Sequence, residues 1–251
     1  MSSWFHAQNN IKINGTVVSA YYEVKSKRGV EQYKEWISNF LKKVPCYLVF
    51  FTEEKHFKFI QSCRERYTNR THIICMEKEQ WKMSKIPDTF WEYQWELDPE
   101  KEMHSPDLYK VWHEKKEFVR RAIELNPFKH SIFFWVDAGI IRDKQKLLDF
   151  PIVSRVPRDT FFVLAVHPFK EGDTSESVLH SDRIAGGILA GSKKVWLEWC
   201  DLYDKAFEKY KEKFIGKDQC ILNVCVLENR SKATVIKADG YRWFTLLYYL
   251  S

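Results

Sequence analysis

Two runs in this chain, CYLVFFT at 46–52 and IFFWV at 132–136, are apolar almost without interruption. A strand with one wet face alternates polar and apolar residues. A strand without that alternation is covered on both faces, as in parallel sheets packed between helices. The intervening segments agree. TVVSAYYEV (16–24) reads as a first strand, and VEQYKEWISNFLKK after it places Val30, Tyr33, Trp36, Ile37, Phe40 and Leu41 at helical spacing. CYLVFFT follows, then a helical EKHFKFIQSCRERY and a third strand, THIICM. The alternation β-α-β-α-β predicts a parallel sheet with right-handed crossovers.

Residues 76–104 break the rhythm. They are polar and carry Trp81, Trp91 and Trp95, which suits a short helix and a loop. The next helix is the clearest in the chain: Ser105 suits the N-cap, Pro106 the first turn, and Asp107 the positive end of the dipole. Leu108, Val111, Trp112, Phe118, Val119, Ala122 and Ile123 form its apolar stripe, and NPF at 126–128 ends it. IFFWV follows at once and delivers Asp137 at its carboxyl end. Beyond it, DTFFVLAVHPF reads as a strand, RIAGGILAGS as a glycine-rich strand and KKVWLEWCDLYDKAFEKYKEKF as a long helix. GKDQCILNVCVLEN begins another helix, and KATVIKAD reads as a last strand. This less regular half predicts a mixed sheet with inserted elements.

With 251 residues, 45% of them hydrophobic, the chain can bury a sizeable core. No linker, repeat or low-complexity tract divides it, so a single domain over 1–251 is expected. The formal charge of +6 is mild and diffuse. It suits an anionic small ligand or weak attraction to an anionic membrane surface. Without a basic cluster interleaved with exposed aromatics, it argues against nucleic acid. The six cysteines form no CxxC pair, and several lie in apolar runs such as VPCYLVFF and HIICM. They read as buried thiols in a reducing compartment. The first residues show no secretory signal, and no apolar run reaches the roughly 18 residues of a membrane helix. The expected location is therefore cytoplasmic, soluble or peripheral at a membrane surface. The sequons at Asn14, Asn69 and Asn229 then read as chance. Nothing in the composition bears on oligomeric state.

Ligands of open α/β sheets bind outside the carboxyl ends of the strands. Asp137 stands at such an end, and Ala138 and Gly139 after it leave room for a ligand or another backbone. Two uses fit: Asp137 faces a bound molecule or its metal, or it caps the next turn. AGGILAGS (185–192) holds three glycines. Either Gly186 and Gly187 permit close approach of a ligand, or the segment is a bulged core strand. GKDQ places Lys217, Asp218 and Gln219 at a helix start, where Asp218 can also be a plain N-cap. No G-x-G-x-x-G follows the first strand, which disfavours a dinucleotide-dependent dehydrogenase. Lys110, Lys115 and Arg120 on the well-capped helix, and Lys217, are candidate phosphate contacts; the alternative for each is a solvated helix face.

Taken in order, the WVDAG strand end, GGILAG and KDQCILN resemble glycosyltransferases of the GT-A type. TVVSAYYEV, SPDLYKVWHEKKEFVRRAIELNPF and FFWVDAGIIR extend the resemblance over most of the chain, to the HtrL/YibB-like family. The motifs are also similar to those of glycosyltransferase family 8. The resemblance implies an α/β, GT-A-like (Rossmann-like) single domain with a mostly parallel central sheet flanked by helices. It implies transfer of a sugar from a nucleoside-diphosphate sugar to a glycan, lipid-linked or protein-linked acceptor, in polysaccharide, lipopolysaccharide or glycoprotein glycan assembly. The leaving group gains negative charge and needs a cation: a divalent metal, Lys or Arg.

The resemblance implies Mn²⁺ or Mg²⁺ on an Asp-x-Asp motif. Asp137 matches as the metal ligand, but Gly139 stands where the second acid is expected. Asp143 and His180 are conceivable further ligands. The resemblance also implies that Ala20, Tyr21, Tyr22 and Thr52 lie where the base and ribose are held, with Tyr21 or Tyr22 stacking on the base unless they are core. Lys110, Lys115 and Lys217 would share the phosphate work, and Gly139, Gly186 and Gly187 would line the donor sugar or acceptor. Asp218, paired with Gln219, would be the carboxylate near the reacting carbon, and a general base if the reaction inverts. His180 and Asp182 either flank the acceptor or are plain loop residues. The missing second acid also suits a non-catalytic nucleotide- or glycan-binding protein of the same fold.

Overall fold

The computed structural model describes residues 15–142, 147, 149–240 and 242–251, so Asn14 and Asp143 lie outside the described residues. Its strands are β1 (Gly15–Tyr21), β2 (Tyr47–Thr52), β3 (Thr71–Cys75), β4 (Ile132–Val136), β5 (Phe161–Ala165), β6 (Ile184–Ser192) and β7 (Ala233–Lys237). They form one sheet in the order β3-β2-β1-β4-β6-β5-β7. β1 to β4 pair in parallel, β7 pairs in parallel with β5, and β6 runs antiparallel to both its neighbours. The sheet is thus mostly parallel, and β6 is the mixed element expected of the second half. Its reversed direction has a consequence: its first residues, not its last, lie at the edge where β1 and β4 end.

The helices are α1 (Val30–Lys43), α2 (Phe57–Cys63), α3 (Asp88–Leu97), α4 (Pro106–Leu125), α5 (Ser175–Val178), α6 (Lys193–Tyr210), α7 (Asp218–Glu228) and α8 (Thr245–Tyr249). Alternate residues of each strand serve two cores, because side chains alternate across a sheet. Phe133 and Trp135 of β4 pack with Trp91, Phe118, Trp196 and Ile221, the face of α3, α4, α6 and α7. Phe134 and Val136 pack with Ile37, Phe40, Ile60 and Leu246, the face of α1, α2 and α8. Strands covered on both faces are what the unbroken apolar runs require.

α4 begins as its sequence dictates. The Ser105 hydroxyl accepts from the Leu108 N–H, Pro106 sits in the first turn, and Asn126 ends the helix at φ 37° in the left-handed region. EKHFKFIQSCRERY, by contrast, is not one helix. It breaks at Arg64, whose buried guanidinium donates to the carbonyls of Leu41, Val44 and Cys46. Those bonds satisfy the carboxyl end of α1 and hold α2 short. Residues 76–104 hold several short 3₁₀ turns as well as α3, with Trp81 and Trp91 fully buried. All six cysteines are free thiols; five are buried, but Cys75 is exposed because β3 is an edge strand. Among the described residues, no helix is long and apolar enough to cross a membrane.

Candidate active site

Strand periodicity puts Phe133, Trp135 and Asp137 on one face, the face α4 covers. The Trp135 Nε1–H donates to Asp137 Oδ1 at 2.7 Å. The Asp137 backbone makes the turn that follows: its N–H donates to the Gly187 carbonyl at 2.8 Å, and its carbonyl accepts from Ile140 at 3.0 Å. The side chain is therefore left to face α4, where it meets Lys115.

Lys115 lies three residues after Trp112 and three before Phe118, inside the apolar stripe, and its side chain is 9% exposed. Its ammonium reaches three acceptors, one for each N–H. These are Asp137 Oδ1 at 3.2 Å, Asp218 Oδ2 at 2.9 Å and the Gly186 carbonyl at 3.2 Å. The Trp135 ring lies 5.8 Å from the same nitrogen. Burial pulls the lysine pKa down, but the carboxylates of Asp137 and Asp218 outweigh it, and the net shift is upward. Asp137 is also pushed above its ordinary value, chiefly by the low-dielectric surroundings, with Lys115 opposing and Asp218 adding to the rise. Its carboxylate still keeps 41% of its side-chain surface open to solvent. Because both oxygens touch one ammonium, they are at most 6.1 Å apart, the two ion-pair distances laid end to end.

Asp218 opens α7 and is 6% exposed. Its Oδ2 meets Lys115 as an ion pair but accepts no well-directed hydrogen bond among the described residues. Gly186 makes room for it: a Cβ there would stand 2.5 Å from that oxygen. At Gly187 a Cβ would stand 3.5 Å from Asp137 Oδ2. β5 pairs with Ala190 and then with Ala185, with a register shift between, so the glycine stretch is out of step with β5 and the Gly186 carbonyl points to Lys115. The strand is irregular, as a bulged core strand would be, and the group that comes close at Gly186 is the Asp218 carboxylate.

The other sequence-derived candidates fall into three groups. Lys115, Asp137, Gly186, Gly187 and Asp218 come together. Lys110 and Lys217 are spoken for elsewhere: Lys110 pairs with Asp88 at 2.7 Å and Asp107 at 3.4 Å, and Lys217 with Glu100. Lys110 and Lys115 stand about 140° apart round the helix, which separates their roles. Arg120 joins Glu117 and Asp204 rather than the site.

At the end of β1, Tyr22 is core, stacked on Phe118 with its hydroxyl donating to the Met76 carbonyl. Thr52 ties β2 to β1 through the Tyr21 carbonyl. Ala20 is half-buried, and Tyr21 is buried with its hydroxyl unpartnered among the described residues and its ring 4.9 Å from His56. The Gln219 amide donates to the Ile184 carbonyl, at the entry of β6. His180 and Asp182 are exposed loop residues, with the His180 ring stacked on Phe214.

Two residues were not singled out from the sequence. Trp135 orients Asp137, and its signal was the two-residue spacing on one strand. Asn223 accepts from the Ile184 N–H and donates to the Val178 and Ser181 carbonyls, which fixes the end of β6 that carries the glycines. Its signal was a fully polar side chain in the apolar stretch CILNVCV.

These residues do not fit a divalent ion held by protein ligands. Asp137 Oδ1 is taken by Trp135 and Lys115. Gly139 offers no second acid, and a Cβ there would crowd the Tyr33 ring at 3.3 Å. Among the described residues, the one cluster of His, Cys, Asp and Glu with metal-like spacing is Asp98, Glu100 and His104, which excludes Asp137. Its members are already bonded to one another, to Tyr109 and to Lys217.

A family model described as "Bacterial protein of unknown function (HtrL_YibB)" matches residues 14–249. A search of curated proteins returned no match. Among solved structures, the chain is similar to the crystal structure of mouse xyloside xylosyltransferase 1 in its apo form. The TM-score is 0.50 at 8% sequence identity, over 89% of this chain and 85% of that one. At that identity the likeness is one of fold: a glycosyltransferase-like, GT-A-like architecture.

Proposed function

The chain belongs to the HtrL_YibB family and carries a glycosyltransferase-like fold; from that premise we propose that it transfers a sugar from a nucleoside-diphosphate sugar to a glycan, lipid-linked or protein-linked acceptor. One observation carries the reading. Two carboxylates from distant parts of the chain, Asp137 and Asp218, are bridged by a buried lysine beside two glycines, at the carboxyl end of β4. Such a cluster is costly to build, and clusters of perturbed titratable groups gather at functional sites.

In this reading the donor sugar lies beside Gly186 and Gly187, whose missing side chains leave room for the two carboxylates. Asp137 accepts hydrogen bonds from its hydroxyls through Oδ2, the oxygen that Trp135 and Lys115 leave free. Asp218, the second carboxylate, takes the proton of the attacking hydroxyl. Lys115 holds both acids in place. The reading requires no resident metal. A second reading, a non-catalytic nucleotide- or glycan-binding protein, is favoured by the lack of a second acid at Gly139.

The test is a thermal-shift panel of nucleoside-diphosphate sugars, each with and without Mn²⁺, on the wild type and Asp137→Ala. One nucleotide sugar should raise Tm in the wild type by mass action and fail to do so in the variant. No shift with any of them, or an equal shift in the variant, would remove the site assignment. Slow donor hydrolysis by the wild type would separate the enzyme from the non-catalytic binder.

A further inference from the structure

The structure contains a groove that neither the family nor the lysine-bridged acids account for. It runs between the loop after β1, α3 and the first turn of α4. It comprises two continuous hollows of about 660 and 390 Å³ that share Lys25, Glu92, Ser105 and Pro106. The Trp-rich insertion at 76–104 builds its outer wall. Thr89, Glu92, Tyr93 and Glu96 recur at helical spacing on the exposed face of α3 and line it, and the Tyr93 ring is 50% exposed. Trp95 also lines it, half-buried, with its indole N–H bound to the Lys101 carbonyl and the Lys101 ammonium, paired with Glu96, 5.3 Å from its ring. Nothing buries the Tyr93 ring, and no ring partner fixes it among the described residues.

Building on the transferase reading, we propose that this groove holds the acceptor, an oligosaccharide uncharged along the bound stretch. Sugar rings present apolar C–H faces and a rim of hydroxyls. An open tyrosine and a tryptophan meet the first, and carboxylates with a threonine hydroxyl meet the second. Charge argues against a phosphate-bearing ligand: Glu92 and Glu96 outnumber Lys25 in the larger hollow.

Contacts through the buried interior link the groove wall to the second acid. His104 lines it, and its Nδ1 meets Asp98 Oδ2 at 2.7 Å. Asp98 accepts from the Tyr109 hydroxyl at 2.6 Å. The Tyr109 ring in turn packs against Gly216, two residues before Asp218, and Glu100 pairs with Lys217 next to that acid. Ser105 precedes Lys115 by ten residues of helix, about 15 Å, which is the distance a glycan in the groove has to bridge to the acids.

The experiment is an array of defined neutral and sulfated or phosphorylated oligosaccharides. It is probed with the full chain, with Tyr93→Ala, and with Trp243→Ala as an exposed aromatic control away from the groove. Donor hydrolysis by the wild type is measured alongside. The expected result is binding to neutral oligosaccharides that falls at least tenfold in Tyr93→Ala and not in Trp243→Ala. Binding confined to anionic glycans, binding unchanged in Tyr93→Ala, or no glycan bound by a wild type that hydrolyses its donor would each overturn the groove. Tyr93-dependent glycan binding without donor hydrolysis would uphold the groove and sink the transferase reading instead.

Discussion

Replacing Lys115 with methionine keeps the length and apolar stem of the side chain and deletes only its charge. Asp137 and Asp218 then face each other within 6.1 Å with no cation between them. Removing one partner of a buried ion pair costs about 3–5 kcal/mol. Water reaches Asp137, whose side chain is 41% exposed, so screening moves the estimate to the lower end, about 3 kcal/mol. In a domain of this size each kcal/mol moves Tm by about 2–4 °C, so Lys115→Met should melt roughly 6–12 °C lower.

The loss should depend on pH. Without the lysine, two neighbouring carboxylates cannot both ionise cheaply, and one pKa rises above its unfolded value. Stability is then intact below the unfolded carboxylate pKa and is lost as pH climbs through the raised one. The variant should approach the wild type near pH 4.5 and fall furthest behind at pH 8. The wild-type lysine adds no slope there, because its raised pKa makes its contribution fade only above the ordinary lysine range. Melts followed by circular dichroism from pH 4.5 to 8 would show this, and Lys115→Met/Asp218→Asn should recover much of the loss. A deficit that is flat with pH, or absent, would refute the bridging role.

Other expectations follow from the same geometry. Gly186→Ala drives a methyl against Asp218 Oδ2 and should cut donor turnover at least tenfold, whereas Gly29→Ala, with nothing within 4 Å, should leave turnover unchanged. Asn223→Ala strands three buried backbone groups at the entry of β6 and should cost about 3 kcal/mol in urea unfolding; a loss under 1 kcal/mol would show that β6 is held otherwise. Burial raises Glu114 from 4.5 to about 7, so its stabilisation is full below about pH 4.5 and lost as pH rises towards 7. Glu114→Gln should flatten that part of the profile, by about 3 kcal/mol across the window, and an unchanged slope would count against it.

The layered fold was legible because its cause is local. Strands such as IFFWV must be covered on both faces, and Ser105, Pro106 and Asn126 mark the ends of α4 in plain residue chemistry. The insertion of β6 between β4 and β5 was not legible, since long-range pairing alone sets it. Within the site, Asp137, Gly186 and Asp218 could be singled out by type and position. The role of Lys115 could not be read by treating it as a helix-surface cation, although its place in the apolar stripe, between Trp112 and Phe118, was the signal. Tyr22 shows the opposite limit. An aromatic at a strand end looks like a stacking platform until its neighbours, Trp81 and Phe118, turn out to enclose it.

The central claim is that Asp137 and Asp218 act on one bound nucleotide sugar. Release of nucleoside diphosphate from the donor that stabilises the wild type, measured for the wild type, Asp137→Asn and Asp218→Asn at matched folded fractions, tests it most directly. The account predicts that each amide variant loses at least a hundredfold in turnover while keeping its fold. Turnover within a few-fold of wild type in either one would contradict it.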